Sequence, residues 1–318
     1  MPRFAFARAQ RPRHKAPVPS PAPPSLLFDR AALAARLARA LRAAPNNPSA
    51  DFLLRRAAEE LVDRLSLVRR EFAVAADVGS PAPHAAQALA ARSGATLTLR
   101  LAPSPLAVGR GAYASAVGDV ERLPLAAESC DLVVSLLALH HVNDLPGALI
   151  QIRRALKPDG LFLGALAGGD TLTELRQSLT IAESDALGGA APRVAPFADV
   201  RALGSLMQRA GFALPVVDCD TVVARYDDLF ALMRDLRAFG ATNALTLRSR
   251  KPLRRDVLMR AACVYAERFA DADGRLRATF DAIWLTGWAP HESQPKPLRP
   301  GSAAIRLADA LNARKDVP

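Results

Sequence analysis

The 318-residue chain has only three cysteines, Cys130, Cys219 and Cys263, far apart and odd in number. Neither a disulfide framework nor a Cys-x-x-Cys metal site can be built from them. Such usage suits a reducing compartment, where a buried cysteine behaves as a small hydrophobe. Lysine is scarce as well (Lys15, Lys157, Lys251, Lys296 and Lys315), so the formal charge of +11 is carried almost wholly by arginine. The arginines are spread through many segments, which fits solvated helix faces better than one patch for an acidic partner. Peripheral contact with a membrane or a membrane-bound complex stays open. Aromatic residues make up 5% of the chain and form no stacking platform, so nucleic acid is not an expected partner. No apolar stretch approaches the roughly 20 residues that span a bilayer. Residues 52–67 and 132–139 are too polar or too short, and a soluble protein is expected.

Acid is missing from residues 1–27, which hold basic residues and many prolines and are expected to be a disordered tail. An acid-free, arginine-rich leader also looks like a mitochondrial transit peptide. The prolines between Pro17 and Pro24, however, break the amphipathic helix that import needs. Bacterial cytoplasm is the expected compartment, with the mitochondrial matrix as the alternative.

What is present, beyond half the residues being hydrophobic, is a strand, helix, strand series in residues 118–166. The apolar run from Cys130 follows an acidic turn and suits a parallel strand buried on both faces. Asn143 or Asp144 can cap the helix over 145–156, and Lys157-Pro158-Asp159-Gly160 stops it before the strand from Leu161. Such a unit implies a right-handed parallel crossover. Further helices are predicted over 29–43, 49–69, 172–186, 198–211, 226–239 and 254–269, and strands over 72–78, 97–101, 215–223 and 278–288, the last two antiparallel. The organisation read from this is a tail (1–27), an N-terminal helical extension (28–70), a core (71–167), a substrate-side insertion with the C-terminal part of the same fold (168–295), and a second tail (296–318).

Asp119, Leu123-Pro124-Leu125, Cys130-Asp131-Leu132-Val133 and Leu156 to Gly160 together resemble the class I S-adenosylmethionine-dependent methyltransferases. Gly168 to Phe197, beginning GGDTLTELR, narrows the resemblance to the methyltransferase-like assembly factors of respiratory complex I. Phe28-Asp29-Arg30, residues 51–65, Arg209-Ala210-Gly211-Phe212, Gly287-Trp288 and His291 to Gln294 also fit that family. The resemblance runs from Phe28 to the end of the chain. It implies an α/β, Rossmann-like fold with a mainly parallel seven-stranded sheet, helices on both faces and the helical extension in front. It further implies a protein arginine hydroxylase acting on an iron–sulfur-carrying complex I subunit.

The glycine loop of this fold is the notable gap. Where Gly-x-Gly-x-Gly follows the first strand, this chain has Asp77-Val78-Gly79-Ser80-Pro81-Ala82-Pro83. Proline fixes φ and lacks an N–H, so two backbone contacts to S-adenosylmethionine are lost. Counting forward places Leu101 where an acid grips the ribose, and only Asp119 matches the adenine contact. The candidate cofactor set is therefore Asp77, Gly79, Asp119, Val120 and Ser135, with binding weak or absent; Asp77 can equally cap the next helix. Substituting glycine at Pro81 and Pro83, and aspartate at Leu101, is the expected route to restoring affinity.

His140-His141 with Asp144 invites a two-histidine, one-carboxylate iron site. Adjacent side chains diverge in a strand or helix, so no metal site is expected; one imidazole should line a pocket and the other pack inside. Asp170, Glu174 and Glu183 are candidates for meeting a guanidinium, since a carboxylate accepts it bidentately. Asp170 can alternatively cap its helix, and the glutamates can pair with Arg176 or solvent. The catalytic candidates are His140, Asp170 and Glu174. Trp284 and Trp288 share one strand face and suit core packing. An arginine-modifying enzyme and a non-catalytic assembly chaperone on a dead methyltransferase fold both fit. Small-molecule methylation, as in biotin precursor synthesis, ranks behind them because it demands the missing loop.

Overall fold

The computed structural model describes residues 26–44, 51–92 and 94–295. The C-terminal tail and all but the last two residues of the expected N-terminal tail lie outside these, as does the beginning of the helix predicted from Ser49.

One sheet organises the chain. Its strands are β1 (Val74–Val78), β2 (Leu97–Ala102), β3 (Ala114–Val117), β4 (Cys130–Leu136), β5 (Leu156–Ala167), β6 (Ala213–Tyr226) and β7 (Leu276–Trp288). The order is β3-β2-β1-β4-β5-β7-β6. β1 to β5 run parallel, and β7 lies antiparallel between β5 and β6, with Ala167 opposite Ala282 and Asp281 opposite Thr221. The expected fold class, a mainly parallel seven-stranded sheet with helices on both faces, is what forms.

Local chemistry explains the elements. β4 is the buried apolar run anticipated from the sequence, though it stops at Leu136 and gives way to a short 3₁₀ turn, Leu139–His141. Asp144, not Asn143, caps α4 (Leu145–Ala155): its Oδ1 accepts from Gly147 N at 2.9 Å. Asn143 instead accepts from Phe28 N at 2.8 Å and ties the N-terminal segment to the sheet. α6 (Val200–Arg209) ends at Gly211, whose φ of 83° is the left-handed C-terminal geometry glycine tolerates best. Two elements carry too little pattern to be read from sequence, β3 with four largely exposed residues and the eight-residue α3 (His84–Ala91).

The helical extension is integral to the fold. α2 (Phe52–Ser66) buries Leu61 and Leu65 against Leu132, Val134, Leu163 and Trp284 of the sheet. Full burial of such a side chain contributes about 1.5–3 kcal/mol. Arg64 stacks over the Trp284 ring at 4.5 Å and grips Asp218 at 2.6 and 2.8 Å, so the tryptophan is sandwiched into the core as expected. α4 and α6 cover the opposite face through Leu149, Ile152, Leu203 and Met207. A third apolar cluster joins α5 (Thr173–Leu187), α7 (Leu229–Ala238) and α8 (Arg255–Phe269) to the near ends of β6 and β7. This cap, together with α1 (Arg30–Ala43), stands over the carboxyl ends of the parallel strands. Asp29 caps α1 by accepting from Ala32 N at 3.0 Å, and its other oxygen holds Arg248 at 2.8 Å.

Candidate functional site

Between sheet and cap lies a cavity of about 700 Å³, within the range of small-molecule sites. It opens where open α/β sheets bind ligands, beyond the carboxyl ends of the strands. Gly79, Pro81, Pro103, Asp119, Val120, Glu121, His140 and His141 line its sheet end; Leu172, Leu175, Arg193, Phe197, Asp220, Met233, Phe280, Asp281 and Trp284 line its cap end.

Beneath the sheet end is a buried polar knot. Asp77, wholly buried, accepts from the Ser80 hydroxyl, and its second oxygen faces Arg100 Nε at 3.6 Å. Arg100, also wholly buried, donates to the carbonyls of Ala107, Ser80 (3.0 Å) and Pro81 (3.5 Å). Burial raises the Asp77 carboxyl to about 7, outweighing the Ser80 hydrogen bond and the Arg100 charge. Burial lowers the arginine in turn. The loop that follows β1 is thus held from below by an arginine of β2. Asp77 is a member of this knot and does not line the cavity; Pro83 holds the N-cap position of α3, while the Asp77 carboxylate accepts from the Ala86 backbone in that helix's first turn.

The other candidate cofactor residues divide. Ser135 is wholly buried and donates to Val78 O at 2.8 Å, which makes it a strand-to-strand tie with no face on the cavity. Gly79 adopts φ 77°, and a Cβ there would overlap the Val120 methyl; both residues line the cavity. Asp119 also lines it, but Arg30 of α1 takes its Oδ2 at 2.7 Å and Glu121 at 2.9 Å. Leu101 sits in the core, 3% exposed, with Gly118 against it. An aspartate there would be buried and would not reach a ribose, so the expected restoration through Leu101 is corrected. Pro103, just past β2, is the nearest residue from that strand on the cavity wall.

The donor set departs at three places from the one this fold class uses for S-adenosylmethionine. The loop offers prolines without N–H groups, no carboxylate stands at the end of β2, and Asp119 is engaged by Arg30.

His140 and His141 depart from expectation. On the 3₁₀ turn their rings lie side by side, with centroids 4.1 Å apart, and both line the cavity. Adjacent side chains leave this 3₁₀ helix in different directions, yet the two rings still meet over the cavity. Phe28 meets the His141 ring edge-on at 5.4 Å, and Phe197 meets His140 at 5.9 Å. Burial lowers His141 to about 4 and, with help from His141, lowers His140 well below its ordinary value. Both are neutral at pH 7. Asp144 is occupied in capping α4 and does not complete a triad with them.

The acids of the cap end also sort differently. Glu174 is buried, with its oxygens accepting from the Thr279 hydroxyl and Thr279 N, so it anchors α5 to β7. Glu183 is paired with Arg193 and accepts from Ala191 N at 2.9 Å. Asp170 is exposed, precedes α5 and is not on the cavity wall; it neither caps the helix nor shares a helical face with Glu174. Three residues that sequence reading passed over take these places: Arg100, Asp220 (held by Arg56 at 3.1 Å) and Asp281. Arg100 in LTLRL and Asp281 in TFDAIW were visible as lone charges within apolar strands, a signal of burial with a partner.

A 3-2-1-4-5-7-6 sheet with only β7 reversed, and a cavity beyond its carboxyl edge, defines a class I methyltransferase fold. A methyltransferase-domain family model matches residues 76–164. The YcgJ protein of Bacillus subtilis shares the fold at a TM-score of 0.52 and 16% identity, over 74% of this chain and 99% of that one. In sequence, the chain is 40% identical over 263 residues to the mitochondrial arginine-hydroxylase NDUFAF5 of Danio rerio, covering 81% of this chain and 82% of the relative. It is 36% identical over 282 residues to the malonyl-[acyl-carrier protein] O-methyltransferase of Laribacter hongkongensis, covering 84% and 92%. The chain belongs to the arginine-hydroxylase NDUFAF5 family within the class I methyltransferase superfamily. Among the described residues no helix is long and apolar enough to cross a membrane.

Proposed function

We propose that the chain receives an arginine side chain of a respiratory complex I subunit in this cavity during assembly of the complex, and that this arginine is modified. The subunit is an iron–sulfur-carrying one, as the family resemblance implies. The observation that carries the reading is the cavity itself, an apolar chamber whose wall sets carboxylates among arginines, several of them paired with one another. A guanidinium is permanently charged and planar, so such a chamber is its natural receptor. Neutral His140 and His141 add polar edges without repelling a cation. The similarity to the Danio rerio arginine-hydroxylase favours hydroxylation over methylation, and the altered loop for S-adenosylmethionine points the same way. The relative's name also places that protein in mitochondria, which supports the matrix alternative for the compartment.

The second reading is a non-catalytic assembly factor that holds the arginine without changing it. The Arg100 knot favours it, because it replaces the cofactor loop with fixed structure. Mass spectrometry of complex I subunits from cells with and without this protein separates the two. An arginine gaining one oxygen only when the protein is present is the expected result, and one gaining a methyl would restore the methyltransferase. Unmodified arginines with failed assembly would support the holder. Normal assembly and normal arginines in its absence would contradict both readings.

A further inference from the structure

A guanidinium already lies against the chamber wall, and it belongs to the chain itself. Arg30, the first residue of α1, lines the cavity together with Asp119 and Glu121. Its two terminal nitrogens divide between these acids: Nη2 meets Asp119 Oδ2 at 2.7 Å, and Nη1 meets Glu121 Oε2 at 2.9 Å. The other oxygen of each carboxylate is bound by backbone. Asp119 Oδ1 accepts from Glu121 N at 3.0 Å, and Glu121 Oε1 accepts from Asn143 N at 2.7 Å. Main chain therefore sets the pair, and each acid turns its remaining oxygen to one planar cation. That is the arrangement a guanidinium fork matches.

The receptor is held firmly and its occupant loosely. The Arg30 side chain is 48% exposed, and an ion pair so open to water stabilises little. Other contacts fix the backbone beneath it: Asp29 N donates to Ala244 O at 2.8 Å, and Phe28 pairs with Leu245 in an isolated bridge. The guanidinium can thus swing away while α1 stays in place. Beside it, the half-buried His141 ring lines the same chamber, packed against Phe28 and His140. Neither of its nitrogens has a hydrogen-bond partner among the described residues. A polar ring that faces a cavity with nothing to bond points to a ligand group that completes it.

We propose that Asp119 and Glu121 are the receptor for the substrate guanidinium, and that Arg30 is its internal stand-in, displaced when the substrate arginine enters. This rests on the arginine reading of the cavity and names its receptor. An incoming arginine replaces Arg30 like for like, so the two carboxylates keep their cation throughout the exchange. A neutral group offers them no charge in return and leaves Arg30 where it is.

The test titrates N-acetyl-arginine methylamide and its neutral citrulline counterpart into the full-length protein by calorimetry or NMR. The wild-type protein is expected to favour the arginine probe. Arg30→Ala removes the stand-in, and a site no longer occupied part of the time gains apparent affinity. It should strengthen the arginine probe by about tenfold, the scale of two exposed ion pairs, and leave the citrulline probe unchanged. Asp119→Asn with Glu121→Gln should bring the two probes to nearly equal affinity, while the melting temperature confirms folding. A folded Arg30→Ala protein no tighter for arginine than the wild type overturns the stand-in. An arginine preference that survives in the folded double variant overturns the receptor; either result leaves the arginine reading standing. Wild-type and Arg30→Ala proteins that both bind the two probes alike overturn the arginine reading, and this assignment with it. Should these variants not fold, Asp119→Asn alone decides, because Glu121 still holds Arg30. A weakened arginine preference supports the assignment, and an unchanged one contradicts it.

Discussion

Between pH 6.5 and pH 4 the protein is expected to lose about 3 kcal/mol of stability, the net of a loss through His140 and His141 and a smaller gain through Asp77. Burial holds His141 at about 4 in the folded protein and His140 well below its ordinary value, whereas the unfolded chain protonates both near 6.5. Their contribution is thus complete above pH 6.5 and is lost as pH falls towards 4. Asp77 works in the opposite direction. Its folded value is raised to about 7 from 3.8, so its contribution is complete below 3.8 and disappears as pH rises through about 7. Within the window the unfolded chain binds two protons the folded one does not, and the folded one keeps one the unfolded chain has lost. The net of one proton gives a slope of about 1.4 kcal/mol per pH unit. Chemical denaturation across this range measures it. The difference between wild type and the double variant His140→Gln, His141→Gln cancels the surface carboxylates. The variant should become more stable, not less, between pH 6.5 and 4, because Asp77 then acts alone. A variant that loses stability in parallel with the wild type would refute the assignment.

Arg100→Ala is expected to cost about 3–5 kcal/mol, the range for breaking a buried ion pair from one side. It strips Asp77 of its charge partner among the described residues and leaves the carbonyls of Ser80, Pro81 and Ala107 without this donor. The loop after β1 should loosen with it. Asp77→Asn in the same chain should recover part of the loss, with a coupling of about 1–3 kcal/mol, because the two residues share one network. Equilibrium unfolding of the two single variants and the double variant supplies the cycle. An Arg100→Ala protein within about 1 kcal/mol of wild type would mean that the knot does not hold the loop.

How far the sequence reaches is clear from particular residues. β4, α4 and β5 are legible because an apolar run, a capping acid and a Lys-Pro-Asp-Gly stop are local signals, although β5 begins at Leu156, five residues before the expected Leu161, and takes in Lys157–Gly160. α2 and α6 were legible from helical periodicity. β3 was not, since four mostly exposed residues carry no alternation to read. At the site, the damage to the glycine loop was visible in Pro81 and Pro83, but its consequence was not. Counting placed Leu101 at the ribose, whereas the β1–β2 register pairs Asp77 with Arg100 and sends Leu101 into the core. Glu174 and Asp170 have the chemistry and the spacing of a guanidinium site in the sequence. The partners that reassign them, Thr279 and Asp281, are more than 100 residues away. Side-chain partnership across the sheet is a tertiary property, and one-dimensional periodicity does not encode it.

Isothermal titration of the purified protein with S-adenosylmethionine tests the central claim most directly, namely that the fold is kept while the cofactor's donors are gone. The expected result is no saturable heat up to millimolar cofactor. A micromolar dissociation constant would contradict the account and make this chain a cofactor-using methyltransferase in fact as well as in fold.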